Sequence, residues 1–590
     1  MDTATVTTAE IDSALSPEKI WSDHCLNAVK KFIKNAVVID NEPVLSESSQ
    51  RPESLQLSPP VSTGMGDQAV LITPHENGNA PMSEATDSGA LQETDTTLNT
   101  LDVRLVTDAF VDAGIACSFV LPSDSETDED SKVRRVLAAA KLADMVVIDW
   151  YLYDSSPNLT IKVLRKLAEA DLEEAGRLRL IAVYTSQDLT TGIFSDIKDS
   201  LKQGGLTVED VPGTPFMARN ASCLVIALNK KEVIPSDLPS KLINSFTVLA
   251  DGLIPSFALA AVGAIRKNMH HLVTRFSKEL DTAYISNRLI TNPPGDVAEL
   301  MRDLLVAEFD SAIGLESIAD DYLDNAPVLK WINKSASKIS SKEYNVKDQR
   351  GDLIPHKVDI SFLSELLIAG IEDEGFTPVG ENSVFKPFPT RHRHLVSVVL
   401  AGSDEVSKSS QSLFSRLVAF KREAFNSAKL SGSDEWLPSL TTGTLLKHSN
   451  GKYFLCLTPA CDTLRLKGSS SFVFLEAITS DKKYSLVLKD NNGADLKLKF
   501  ERKRPKLSTF VFSPDETQRV RGEWHTGQSP GENGQYKFQA TGDGNSFTWL
   551  GEIRYGRAAS EMAQLVGNWM RIGINDSEFL RLIDAGKISG

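Results

Sequence analysis

The sequence predicts an α/β domain built on a doubly wound sheet, then a helical region, then a β-rich α+β domain with closing helices. Three observations predict it. Short apolar runs alternate with helical patterns through about the first 235 residues, as a doubly wound sheet requires. From about Leu238 helical patterns follow one another with few breakers. Beyond about Lys452 the apolar period changes to that of strands.

Composition sets the outer bounds. A length of 590 residues suggests three or four domains, and 41% hydrophobic residues suffice for real cores. The net charge of −16 argues against a chain-wide nucleic-acid footprint. No apolar run reaches the roughly 18 residues of a membrane span, and Met1 opens no basic-then-apolar leader. The expectation is a cytoplasmic protein with no membrane partner. Five cysteines, sparse and odd in number, fit a reducing compartment.

In order, Ser16-Pro17-Glu18-Lys19 reads as a helix start, with Ser at the cap and Pro at the first helical position. That helix, through about Lys34, precedes the first strand, Asn35–Pro43, whose end carries Asp40, Asn41 and Glu42. Residues 43–100 are rich in Ser, Thr, Pro and Gly and hold eight acids against one base, Arg51. Such a stretch cannot bury enough apolar surface to offset its ordering entropy, so disorder is expected. Because closure entropy grows only logarithmically with length, the surrounding fold tolerates the insertion. It reads as a permissive surface insertion or, more sharply, as an acidic lid.

A helix over Val103–Gly114, with Gly114 at C′, leads to the strand Ala116–Leu121. A helix over Lys132–Leu142 leads to the strand Asp144–Leu152, which carries Asp149. A helix over Asn158–Ala170 leads to the strand Leu178–Ser186, ending in Thr185 and Ser186. After an excursion around Leu206–Arg219, the strand Ser222–Lys231 ends in Lys230 and Lys231.

In open α/β sheets the carboxyl ends of the strands form the ligand crevice. Here they deliver acid, acid, hydroxyl and lysine. That order resembles the receiver domain of bacterial two-component response regulators, which has a flavodoxin-like fold. The resemblance implies that Asp149 accepts a phosphoryl group from a partner histidine kinase. It implies Mg²⁺ held by Asp40, Asn41, Asp149 and the carbonyl of Tyr151. It implies a hydroxyl at Thr185 and a lysine at Lys230 or Lys231 that read the phosphate. Lys230, closer to the strand end, is the preferred one. Phosphoryl transfer needs these parts: a nucleophilic oxygen, a divalent ion and cations around the transferring oxygens.

Three departures stand out. Asn41 replaces the second acid of the usual pair, bringing an oxygen ligand without charge, although Glu42 follows it. The turn after Asp149-Trp150 is Tyr-Leu-Tyr-Asp-Ser-Ser-Pro-Asn and lacks the family's Leu-Pro…Gly. The segment from Thr185 to Lys230 is long for the family. The competing reading is a pseudo-receiver, a docking module that has lost phosphotransfer.

Beyond the receiver, Leu238–Leu289 is helical, and its later part, Ala258–Arg288, suits either a dimer contact in a homo-oligomer or the spine of a helical domain. His270-His271 lies there, best read as an exposed pair. Further helices are expected at Asp296–Ala312, Asp359–Ile371 and Leu413–Leu430. Seven strands between Lys452 and Arg554 follow, with Asn492-Gly493 as a hairpin turn. Closing helices are expected at Arg557–Met570 and Asp576–Ala585. The Arg502–Lys506 basic cluster reads as a solvated turn, and Cys456 and Cys461 as thiols rather than zinc ligands or a nucleophile served by His448.

No helix-turn-helix, P-loop or hydrolase signature is present, so no catalytic output is expected. Size, the interrupted receiver and the lack of an effector resemble the large receiver protein of Detocs-type anti-phage two-component systems. That resemblance implies a sink for stray phosphate from the kinase. The alternative is a signalling adaptor whose later domains bind a protein or nucleic acid.

Overall fold

The structure, a computed structural model, describes residues 16–41, 43–44, 101–120, 128–152, 156–174, 176–291, 295–347, 350–380, 383–425, 436–525, 534–542 and 544–569. The insertion expected at 43–100, all but its first two residues, lies outside these, as do Glu42 and the helix expected at Asp576–Ala585. Two compact units emerge, one of residues 26–173 and 177–251, the other chiefly of residues beyond 252.

The first unit is a doubly wound sheet. Its elements are α1 (Pro17–Phe32, of which the residues from Leu26 belong to this unit), β1 (Asn35–Ile39), β2 (Pro43–Val44), β3 (Leu101–Asp102), α2 (Val103–Asp112) and β4 (Ala116–Val120). Then come α3 (Glu129–Ala140), β5 (Met145–Ile148), α4 (Asn158–Glu173), β6 (Arg179–Thr185), α5 (Thr191–Gln203), β7 (Glu209–Asp210), β8 (Met217–Arg219), β9 (Cys223–Asn229) and α6 (Leu238–Ala250). The sheet order is β4-β1-β5-β6-β9-β8-β7. The first five strands are parallel. Every residue of β5, β6 and β9 is buried, as expected of parallel strands covered on both faces. β4, at the edge, keeps exposed positions. Helices α3, α4 and α5 close one face through Val136, Val163, Leu164, Leu167 and Ile197. Each such side chain contributes about 1.5–3 kcal/mol by leaving water.

Local chemistry sets the helix ends. Asp102 caps α2 by accepting from Arg104 N and Leu105 N, and Gly114 follows its end at φ +73°. Asp128 caps α3, which therefore begins at Glu129, a turn earlier than the apolar pattern suggests. Gly204 ends α5 where a Cβ would collide with the Arg165 carbonyl and the Ala168 methyl, so only glycine lets α5 lie this close to α4. The two ends of the insertion meet: Pro43–Val44 pairs in parallel with Leu101–Asp102.

The excursion between Thr185 and Lys230 is a hairpin. β7 and β8 pair antiparallel with each other, and β8 with β9, extending the sheet past its last parallel strand. At the opposite end of the sheet from the strand-end acids, Arg179 is fully buried against Asp171 at 2.7 Å and donates to the Ala140 carbonyl at 2.6 Å. Burial outweighs the attraction of Arg179 and pushes the Asp171 carboxyl up to about 6.

The second unit begins with α7 (Leu253–Arg275), α8 (Asp281–Ile290), α9 (Gly295–Gly314), α10 (Ile318–Leu323) and α11 (Asn325–Lys334). A hairpin follows, β10 (Lys342–Lys347) with β11 (Leu353–Val358), which the helical pattern there did not announce. Next are α12 (Ile360–Ala369), the short pair β12 (Gly375–Phe376) and β13 (Lys386–Pro387), α13 (His394–Ala401) and α14 (Asp404–Ala419). The helix expected over Leu413–Leu430 is thus corrected to α14. Ser403 caps it, and the chain turns into a strand at Phe420.

The C-terminal part is a ten-stranded sheet of β14 (Phe420–Glu423), β15 (Thr444–His448), β16 (Tyr453–Cys456), β17 (Ser470–Thr479), β18 (Leu486–Lys489), β19 (Asp495–Phe500), β20 (Leu507–Phe512), β21 (Glu523–His525), β22 (Gln535–Gln539) and β23 (Ser546–Ile553), followed by α15 (Tyr555–Trp569). Alternate residues of its strands feed two cores, Leu445, Leu455 and Leu475 one, Leu446, Phe454 and Phe474 the other. β18 and β19 close through the expected turn, with Gly493 at φ +76°. Arg502, from the basic cluster, is spent on the buried Glu561, which Arg557 also reaches at 2.8 Å. Cys456 is buried and Cys461 exposed. Among the described residues, no helix is long and apolar enough to cross a membrane.

Candidate functional site

Strand register assembles the candidate site. Ile39 pairs with Ile148, and Thr185 with Asn229. Each ladder runs one hydrogen bond further: Asp149 N donates to the Ile39 carbonyl at 2.9 Å and Lys230 N to the Thr185 carbonyl at 2.8 Å. Asp40, Asp149 and Lys230 therefore all sit one residue past the carboxyl ends of their strands, where the crevice of an open sheet lies.

There the Lys230 ammonium bridges the two acids, 2.9 Å from Asp40 Oδ2 and 2.5 Å from Asp149 Oδ2. The three side chains are only 5%, 2% and 9% exposed for Lys230, Asp40 and Asp149. Asp149 Oδ1 accepts from Tyr151 N at 3.3 Å, and the Asp149 carbonyl accepts from the Thr160 hydroxyl in the first turn of α4 at 2.8 Å. The nucleophile candidate is thus pinned through both its side chain and its backbone.

Two carboxylates and one ammonium leave an excess negative charge in a low-dielectric place. Burial pushes the Asp149 carboxyl above the usual carboxylate range; Lys230 pulls it down and Asp40 adds to the rise. Burial works against the Lys230 ammonium, but attraction to Asp149 and Asp40 outweighs it, and its pKa stands above that of a free lysine.

The remaining expected residues are placed as follows. Thr185 is buried at the end of β6, and its hydroxyl accepts from Gln187 N at 3.2 Å rather than meeting the carboxylates. Asn41 follows Asp40 and is exposed. Tyr151 is half-buried and meets Asp149 through its backbone N–H. Lys231 points elsewhere, its ammonium 3.8 Å from Asp188, so it is Lys230 that reaches the acids.

Sequence reasoning missed Tyr184. Its ring lies 5.7 Å from the Lys230 ammonium, within cation–π range, and its hydroxyl donates to the Val233 carbonyl at 2.6 Å. It missed Asn229 as well, whose side chain donates to the Gln187 carbonyl and accepts from Lys231 N, tying the loop after β6 to the loop after β9. The available signal was position alone: both are polar-tipped residues at the carboxyl end of a fully buried strand.

Residues 32–234 match the family model of the response receiver domain. No curated protein matches the chain. This segment is a response receiver domain, and it points to the role of a response regulator. The resemblance noted from the strand ends and the fold from the sheet topology agree with it.

Proposed function

We propose that Asp149 accepts a phosphoryl group from the phosphohistidine of a partner histidine kinase. The observation that carries this reading is the Lys230 ammonium held between two buried carboxylates at the strand ends. A carboxylate oxygen of Asp149 attacks phosphorus, the P–N bond breaks, and the kinase histidine leaves with the bonding electron pair and takes up a proton. Lys230 is placed to exchange its hydrogen bond with Asp149 for one with the incoming phosphoryl oxygens, and the Thr185 hydroxyl waits one strand away. The donor set also fits a hard divalent cation. Asp40 and Asp149, with the Tyr151 carbonyl and the Asn41 amide oxygen, would hold Mg²⁺, which when bound neutralises phosphate charge.

At the level of the whole chain, the reading is a cytoplasmic phosphate sink. It draws phosphoryl groups off the kinase of an anti-phage two-component system and performs no catalysis of its own. A receiver domain joined to later regions whose sequence carries no effector signature supports this. The test is phosphotransfer to the purified full chain with Mg²⁺, from acetyl phosphate and from the kinase, comparing wild type with Asp149→Ala. Base-labile label present in wild type and absent in the variant is expected. No label in either protein would leave a pseudo-receiver adaptor, with Lys230 acting as a permanent counter-ion.

A further inference from the structure

Helix α14 is turned inside out. Its buried side chains include Ser407, Ser412 and Arg416, whereas Val406, Leu413, Phe414, Leu417 and Val418 are each 53–59% exposed. At about 3.6 residues per turn those five fall within an arc of about 140°, and Ser412 and Arg416 lie on the opposite side. Polar bonds account for the inner face. The Ser412 hydroxyl donates to Asp495 Oδ2 at 2.8 Å, and the Arg416 guanidinium donates to both carboxylate oxygens of Glu423 at 2.9 and 2.6 Å. The outer face is a stripe of large apolar side chains, continuous by its i, i+3, i+4 and i+7 spacing. Single exposed apolar residues are ordinary, but five on one stripe mark a surface made to be covered.

The chain itself supplies a cover within reach. Arg554 ties the start of α15 to the last turn of α14: its backbone N–H donates to the Ala419 carbonyl at 2.8 Å and its guanidinium to the Leu417 carbonyl at 3.2 Å. Ala419 also shares a core with Ala558 and Leu565 of α15. α15 is 15 residues long, so at about 1.5 Å per residue its far end lies within about 22 Å of that tie. Residues 570–575 beyond it can span up to about 20 Å. The segment after them can therefore return to α14 whichever way α15 points. It is the one over which the sequence predicts a helix, Asp576–Ala585, outside the described residues. On that pattern Phe579, Leu580 and Ile583 share one stripe, with Asp576 and Glu578 in the first turn, where acids suit the helix dipole. So short a helix is marginal alone in water, and its stripe needs a surface.

We propose that residues 576–585 dock on α14, with Phe579, Leu580 and Ile583 against the stripe of Leu413, Phe414, Leu417 and Val418. Tethering favours this occupant over a separate molecule. So short a link holds the segment at about a millimolar effective concentration. A few apolar side chains then suffice where a free partner would need a full interface to offset its lost freedom.

The test is hydrogen exchange by mass spectrometry on the full chain, at about 1 and about 50 μM, a range that brackets a micromolar dissociation constant. Wild type is compared with Leu417→Asp and the milder Phe414→Ser on α14, Leu580→Asp on the segment, and Ile285→Asp on α8 as a control. Peptides of the C-terminal sheet report that the fold is intact. The proposal expects residues 576–585 to exchange at least roughly tenfold more slowly than a free peptide of the same sequence, as a locally folded segment does. It expects that protection at both concentrations, lost in the α14 and segment variants and kept in Ile285→Asp. Exchange at the free-peptide rate in wild type would overturn it. So would protection that survives both α14 variants. Protection confined to the higher concentration would overturn it too and assign the stripe to a second copy. Phosphoryl acceptance at Asp149 is a separate readout and stands or falls independently.

Discussion

Replacing Lys230 with methionine tests the electrostatics of the strand ends most directly. The ammonium is the cation that bridges Asp40 and Asp149, all three side chains being less than 10% exposed. Removing one partner of a buried ion pair costs about 3–5 kcal/mol, because the charge left behind has neither water nor a counter-ion. Here two carboxylates are left behind. The loss is best read by hydrogen exchange of the β1, β5 and β9 amides in the full chain, which isolates this domain from the rest. At about 1.4 kcal/mol per decade, protection falls by roughly two to four decades. The pH dependence has a definite sign. Asp149 already titrates above its ordinary value, and loss of the Lys230 attraction raises it further. A carboxyl raised in the folded state contributes stability that is complete below its unfolded value, about 3.9, and is lost as pH rises through the folded value. The Lys230→Met deficit is therefore largest at neutral and alkaline pH and shrinks on acidification. The companion Asp149→Asn leaves Lys230 matched one-to-one with Asp40 and removes the ionisation that opposes folding, so it stays within about 1 kcal/mol of wild type. Equal protection in Lys230→Met and wild type, or a deficit that grows on acidification, would refute the reasoning.

Two further outcomes follow from the same site. Tyr184→Phe deprives the Val233 carbonyl of its donor and should lower local stability by about 1 kcal/mol. This is seen as faster exchange in the loop after β9; exchange identical to wild type would show that the hydroxyl does not anchor that loop. Asn41→Asp adds an exposed charge beside Asp40 and should tighten Mg²⁺ binding about fivefold, the worth of about 1 kcal/mol at short range in water. Fluorescence of Trp150, adjacent to Asp149 and buried, reads the titration, and an unchanged affinity would show that position 41 does not face the ion.

The receiver was legible because its signals are local and redundant. Fully buried parallel strands must be written as apolar runs, and the first polar residue after each run marks the crevice. Asp40 and Asp149 follow from that rule, each one residue past its ladder, whereas on β9 the first polar residue is Asn229 and the choice of Lys230 rested on the resemblance to receivers. Tyr184 was hidden by the same physics: a strand covered on both faces gives no alternation to show which way an aromatic ring turns. Helix starts were misjudged where a capping side chain lay upstream of the apolar pattern, as with Asp128 before α3 and Ser403 before α14. The antiparallel hairpin β7–β8 was legible only as excess length, since its strands are two and three residues long. The closure of the β-rich sheet, with β15 pairing β23 across about a hundred residues, is a long-range fact that periodicity cannot carry.

Charge counting connects the departures of this receiver to its proposed role. With Asn41 in place of an acid, the described cluster holds two carboxylates and one ammonium. A second acid would make the site a stronger cation trap, but it would also repel a phosphoryl group carrying nearly two negative charges. The present arrangement lowers that repulsion while Lys230 remains close enough to follow the phosphoryl group once it arrives. On the proposed reading the cost would fall on cation affinity, which would depend on ionic conditions and on the ionisation of Asp149. Because that carboxyl is already pushed upward by burial, acidification would weaken both the proposed nucleophile and the proposed cation site together. Acceptor rate and Mg²⁺ affinity should therefore decline along the same acid limb, displaced above the ordinary carboxylate range. That shared limb is what a single buried carboxylate serving both tasks requires.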